Sequence, residues 1–245
     1  PYNIADPWFS LFKSKNIDLP KIKLPFKKLA EKHLLLNEIV KKFSDKKSYK
    51  EIRYSELKEK DIRNIRKSYL AMCSEVDHYV GQILQTLEQS NQLNDTMIIF
   101  TSDHGEMFGE NNLWGKLGWW DSSYRIPLII YTPGQKPNII NDFTESVDLA
   151  PTILEWLGGE IPIDWNGQSL MPYITNKKKK LNEKKFVVFD WDFRDFTSFV
   201  KDKKLSPEEC NLSVIRTNKW KYVHFPTLPP LLFNLKTDPE EINNL

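Results

Sequence analysis

Between residues 97 and 131 the chain reads MIIFTSDHGEMFGENNLWGKLGWWDSSYRIPLIIY, and the side chains placed to do chemistry are Asp103, His104 and Lys116. A carboxylate beside an imidazole is a donor pair for one divalent cation. The hard oxygen suits Ca²⁺, Mg²⁺ or Mn²⁺, and the nitrogen is tolerated by Mn²⁺ and Zn²⁺ but is less typical of Ca²⁺. Lys116, in the run Gly115-Lys116-Leu117-Gly118, is a mobile ammonium able to grip an anionic oxygen or keep a nucleophile deprotonated. Taken singly, Asp103 reads as a turn-forming cap, His104 as a hydrogen-bonded core imidazole and Lys116 as a surface cation. Their shared spacing favours one site.

Several elements must position these groups. Met97 to Phe100 is an apolar run short enough for a strand buried on both faces, and a second strand-like run lies at Ile126 to Tyr131. Ligands of α/β sheets bind beyond the carboxyl ends of strands, where Asp103 and His104 fall. Neighbouring strand residues face opposite ways, so the chain must turn for both to converge, and Gly105 can supply a positive φ. Upstream, Ile62, Ile65, Tyr69, Met72, Val76, Val80, Ile83 and Leu87 form an apolar stripe at helical spacing. Asp77 and His78 on that helix are adjacent, hence about 100° apart around its axis, and read as scaffold rather than as a metal pair. Downstream, Asp148 reads as an N-cap and Pro151 as a first-turn residue. Ile153, Leu154, Trp156 and Leu157 fall on the buried side, and Gly158-Gly159 is the stop.

The segments FVVFDWDF, LSVIRT, WKYVHF and LLFNL after Phe186 alternate without intervening helices, which predicts a small antiparallel sheet. The first sixty residues are rich in lysine and proline, which forbids a long early helix. They read as a surface excursion with a short amphipathic helix from Pro25 to Phe43, and with Trp8, Phe9 and Phe12 packed on the core. The lysine run 177–180 reads as a solvated loop.

Hydrophobic residues at 40% and aromatics at 13% of 245 residues describe a globular chain. The near balance of 35 basic against 33 acidic residues implies no nucleic-acid affinity. No apolar run approaches the ~20 residues of a membrane span. Cys73 and Cys210 form no CxxC and read as free thiols. They lean the otherwise open compartment towards the cytoplasm. The chain opens on Pro1 rather than Met and shows no signal-peptide pattern, so a portion of a longer protein is expected.

TSDHGE, LWGKLG and DSSYRIPLIIYTPG, in that order, resemble the sulfatase branch of the alkaline-phosphatase superfamily, nearest its phosphonate monoester hydrolase-like and arylsulfatase-like members. SEVDHYVGQIL, VDLAPTILEWLGGEIP and LLFNLKTDPEEINNL fit the same family. The resemblance implies an α/β fold: part of an alkaline-phosphatase-like mixed sheet flanked by helices, followed by a small antiparallel carboxyl-terminal sheet. Residues 1–60 would be an excursion of the catalytic domain, 61–175 its carboxyl-terminal part, and 186–245 a small β subdomain. Asp103 and His104 carry over as ligands of one divalent metal ion (Ca²⁺, Mn²⁺ or Mg²⁺ before Zn²⁺), and Lys116 as the catalytic, substrate-contacting lysine. Asn112 and His224 are further substrate-binding candidates, and Glu106 a residue that supports a metal ligand. Asp121 and Arg125 are expected to pair with each other or with backbone.

The implied substrate is a small anionic sulfate, phosphonate or phosphate ester, whose charged nonbridging oxygens must be neutralised before a nucleophile can approach. The family's Cys/Ser-x-Pro-x-Arg nucleophile motif does not occur in this chain, nor do its paired aspartates. The segment alone is therefore expected to be inactive, and a homo-oligomer of the intact protein stays open. Phosphoglycerate- and phosphopentose-type mutases also carry an Asp-His pair, but lack the GKLG and DSSYRIPLII blocks. A non-catalytic, truncated sulfatase-like domain serving in assembly or binding is the alternative.

Overall fold

The structure, a computed structural model, describes residues 4–21, 24–44, 54–175 and 184–245. The lysine run 177–180 lies outside the described residues. Two short helices, α1 (Phe26–Ala30) and α2 (Leu34–Ser44), precede the long helix α3 (Glu59–Gln89). Then come strand β1 (Ile98–Thr101), a short helix α4 (Asp121–Tyr124), strand β2 (Leu128–Tyr131), and helices α5 (Leu149–Trp156) and α6 (Met171–Ile174). The remainder is β3 (Val187–Asp192), α7 (Thr197–Lys203), β4 (Asn211–Arg216), β5 (Trp220–His224) and β6 (Leu231–Asn234).

The expected carboxyl-terminal sheet is there, four antiparallel strands in the order β3-β4-β5-β6, although α7 lies between β3 and β4 where no helix was expected. Its inner face is set by period-two alternation: Leu212 and Val214 of β4, Val223 of β5, and Leu231 and Phe233 of β6 are buried. The core built on that face draws on two other regions. Leu35, Leu36, Ile39, Val40 and Phe43 of α2 enter it, as do Met107, Leu113, Trp114, Leu117, Trp119 and Trp120 from the loop between β1 and β2. The stretch expected to run over the outside thus contributes one whole helix face to the interior. Its helix is also interrupted, because His33 leaves the helical path between α1 and α2, its Nδ1 accepting the Leu35 amide at 3.2 Å. Trp8 sits against α3, its ring 5.0 Å from His78.

The other half is much less covered. β1 and β2 pair antiparallel with each other and, among the described residues, with nothing else. The expectation of a strand buried on both faces fails here: Phe100, Ile129 and Tyr131 are exposed. The stripe on α3 splits likewise, with Ile62 buried but Val76 52% and Ile83 59% exposed. On α5 the buried pair is Pro151 and Thr152, whereas Ile153 and Leu157, expected to face inward, are exposed. Gly158, at φ 79°, does end that helix. The periodicity placed these elements correctly, but burial needs a partner surface and sequence pattern does not say where it comes from.

Candidate functional site

The site begins where β1 ends. Beyond Thr101 the chain turns tightly, with the Ser102 hydroxyl donating to the His104 carbonyl at 2.7 Å. The His104 amide donates to Asp103 Oδ1 at 2.9 Å. The turn brings the two adjacent side chains to the same side, Asp103 Oδ2 lying 3.4 Å from His104 Nε2. His104 Nδ1 lies 2.7 Å from the Gly105 carbonyl. Asp103 is held below the ordinary carboxylate range. Desolvation pushes the other way, but the His104 amide bond and the charges of His104 and Lys116 prevail.

Gly105 is required for a different reason from the one expected. It is not among the positive-φ residues. Instead a Cβ there would lie 2.1 Å from the Ser122 carbonyl oxygen, and the Gly105 amide donates to the Ser123 carbonyl at 2.7 Å. Only a residue without a side chain lets the Asp103–His104 turn pack this closely on α4.

The Lys116 loop is pinned on both sides. The Gly115 carbonyl accepts from the Met107 amide at 2.8 Å. The Ser123 hydroxyl both accepts from the Leu117 amide and donates to the Leu117 carbonyl, each at 3.1 Å. Gly115 and Gly118 take positive φ of 74° and 63°, which lets the backbone turn while the Lys116 side chain stays exposed. Glu106, expected to support a metal ligand, braces the loop instead: its Oε1 accepts from the Phe108 and Gly115 amides at 3.1 and 2.6 Å.

A buried charge cluster fixes this loop to the carboxyl-terminal sheet. Lys221 of β5 is fully buried, and its ammonium donates to the Trp119 carbonyl at 2.9 Å, Asp121 Oδ1 at 2.5 Å and Glu241 Oε1 at 2.6 Å. Arg216 reaches the other Asp121 oxygen at 3.0 Å. Asp121 therefore pairs with Lys221 and Arg216; its expected partner Arg125 contributes only its amide, which donates to the Asp121 carbonyl at 2.7 Å. Desolvation raises Asp121, yet the two cations outweigh it and hold the group down at about 2. Burial instead pushes Glu241 up to about 7 against the pull of Lys221. One ammonium can neutralise only one of two carboxylates, and Asp121, which has Arg216 as well, stays ionised. Sequence reading missed this cluster because its members lie on four separate segments; the one signal was a lysine at an inward-facing position of a strand.

The structure thus brings Asp103, His104 and Lys116 into one neighbourhood. Asn112 is engaged elsewhere, its side-chain amide donating to the Leu24 carbonyl and so tying the amino-terminal segment to the loop. His224 is exposed on β5 beside Tyr222, opposite Ser213 of β4. Among the described residues there is no group of three or more His, Cys, Asp or Glu side chains that could hold a metal ion. The donor chemistry of the Asp103–His104 pair fits a divalent cation, but only as part of a larger ligand set.

Residues 32–159 match the family model described as Sulfatase, and residues 109–245 the one described as N-sulphoglucosamine sulphohydrolase, C-terminal. The chain belongs to the sulfatase family. It is 43% identical over 194 residues to the multifunctional alkaline phosphatase superfamily protein PehA of Trinickia caryophylli, a match covering 77% of this chain and 38% of that protein. It is 32% identical to human arylsulfatase K, over 76% of this chain and 34% of that enzyme. The solved phosphonate monoester hydrolase of Agrobacterium radiobacter superposes with a TM-score of 0.89 at 32% identity, over 99% of this chain and 49% of that one. The chain therefore spans well under half the length of these sequence relatives and about half of the solved structure.

Proposed function

We propose that this chain supplies the carboxyl-terminal portion of a metal-dependent hydrolase of sulfate or phosphonate/phosphate esters. In this reading Asp103 and His104 are metal ligands and Lys116 contacts the anionic substrate. The observation that carries the proposal is the 3.4 Å approach of Asp103 Oδ2 to His104 Nε2 at the end of β1, with the charge of Lys116 among those that lower the aspartate. Membership of the sulfatase family and the names of the relatives support it.

Each group has a distinct task. Asp103 and His104 would hold a divalent cation, which when bound polarises a nonbridging ester oxygen. Lys116, on a loop whose backbone is clamped by Glu106 and Ser123, presents its ammonium to the same anion from a fixed Cα position. The nucleophile and the remaining ligands would come from polypeptide outside this chain, so the 245 residues alone turn over no ester and bind metal weakly. The test measures turnover of paired aryl sulfate and aryl phosphonate esters by the intact protein, with and without chelator. Activity that survives both chelation and His104→Ala would refute the reading; rapid ester hydrolysis by the 245-residue chain alone would refute its division of labour.

A further inference from the structure

The residues on either side of Lys116 have both of their backbone groups bound. On one side the Gly115 amide donates to Glu106 Oε1 at 2.6 Å, and the Gly115 carbonyl accepts from the Met107 amide at 2.8 Å. On the other, one hydroxyl does both tasks: Ser123 Oγ accepts from the Leu117 amide and donates to the Leu117 carbonyl, each at 3.1 Å. Ser123 is fully buried, so water does not compete for these bonds. Lys116 itself is exposed between the two clamps. Every partner leads back to the turn that carries Asp103 and His104. Glu106 and Met107 directly follow Gly105 in the chain, and the Ser123 carbonyl accepts the Gly105 amide at 2.7 Å. Two hydrogen-bonded links through Ser123 thus join the residue after His104 to the residue after Lys116, bypassing the long loop between them.

We propose that Glu106 and Ser123 are positioning residues for ester hydrolysis: they set the span between the Asp103–His104 pair and the Cα of Lys116, and they act through Lys116 without touching a reacting atom. These roles rest on the function proposed above. A lysine ammonium rides on a flexible four-carbon stem, so its aim depends on how far its Cα is free to wander. Misplacement of a reacting group by about 1 Å can cost about a hundredfold in rate. Ser123 holds its two ends with different groups, the carbonyl on Gly105 and the hydroxyl on Leu117. Ser123→Ala therefore cuts the lysine end of the link and leaves the metal end in place. A side chain that only filled space would show no such separation.

The test is a double-mutant cycle in the intact protein, reading kcat/KM for an aryl sulfate and an aryl phosphonate ester, each corrected for the folded fraction. Ser123→Ala and Glu106→Ala should each lower kcat/KM about ten- to a hundredfold. Neither should cost anything further in a Lys116→Ala background, because a residue that acts through the ammonium then has nothing left to position. Glu106→Gln, whose amide oxygen can still accept from Phe108 and Gly115, should recover most of what Glu106→Ala loses. Mn²⁺ affinity should be unchanged by Ser123→Ala, while amide exchange at Leu117 quickens. Glu106 is only half-buried, so its arm of the cycle decides the matter if Ser123→Ala does not fold. Equal losses with and without Lys116, wild-type turnover by both alanine variants, or a Mn²⁺ affinity that falls with Ser123→Ala would overturn the positioning roles alone. If Lys116→Ala by itself costs nothing, the function proposed above fails and these roles fail with it.

Discussion

Replacing Lys221 by methionine tests whether the buried charge cluster is what anchors the Lys116 loop. Methionine keeps most of the aliphatic volume, so the change removes the ammonium and its three bonds to Trp119, Asp121 and Glu241. Losing one partner of a buried pair costs about 3–5 kcal/mol when the other charge is stranded. Here the stranding is incomplete. Asp121 keeps Arg216 at 3.0 Å, and Glu241, already raised to about 7, can take a proton. The lower end, about 3 kcal/mol, is therefore expected near pH 6. Above the raised value the proton must be held against solution, which adds roughly 1.4 kcal/mol per pH unit. For a chain of this size 3 kcal/mol corresponds to a fall in Tm of about 6–12 °C. Urea unfolding followed by tryptophan fluorescence reads it, since Trp119 and Trp120 stack at 4.9 Å next to the cluster. The double variant Lys221→Met, Glu241→Gln should lose the extra pH dependence. A loss below about 1 kcal/mol at pH 6, or one equal at pH 6 and 8, would refute the account.

Four further outcomes follow from the geometry. Glu241 has a raised value in the folded state, so it takes up its proton more tightly folded than unfolded; stability should fall as pH climbs from the ordinary glutamate range to about 7, and Glu241→Gln should flatten that slope in pH-resolved denaturation. Asp121 is depressed to about 2, so its contribution is present above the ordinary aspartate value and lost as pH falls towards 2; Asp121→Asn should remove about 2 kcal/mol from the acid arm. Gly105→Ala forces a Cβ to 2.1 Å from the Ser122 carbonyl, and should cost about 1–3 kcal/mol while lowering metal affinity, both read on the purified variant by denaturation and by Mn²⁺ titration. In the intact protein Lys116→Ala should lower kcat/KM for aryl esters by about 10²–10³, with Tm unchanged because the side chain is exposed.

The carboxyl-terminal sheet was legible because alternation in LSVIRT and WKYVHF is a local property, and each strand's neighbour follows it in sequence. The DHG turn was legible by type but not by cause. Gly105 was expected to supply a backbone angle, whereas it supplies room for Ser122, a contact that no local pattern encodes. The charge cluster failed for the same reason at longer range: Asp121, Arg216, Lys221 and Glu241 converge from positions up to 120 residues apart. Burial of β1, of α5 and of the second half of α3 was misjudged because an apolar stripe records only that a side chain is suited to cover.

These differences are connected by where the energy sits. The side chains proposed to hold the metal and to contact the ester, Asp103 and Lys116, are exposed, and so is much of the ribbon that carries the aspartate. What makes the arrangement definite lies behind them: Gly105 against α4, Ser123 on both backbone groups of Leu117, and Asp121 of α4 gripped by Lys221. The lysine loop is thus positioned by its packing and ion pairs to the carboxyl-terminal sheet. The aspartate and histidine have only their own turn and the packing of Gly105. Such a division leaves the backbone of the lysine loop braced before any metal or ester binds.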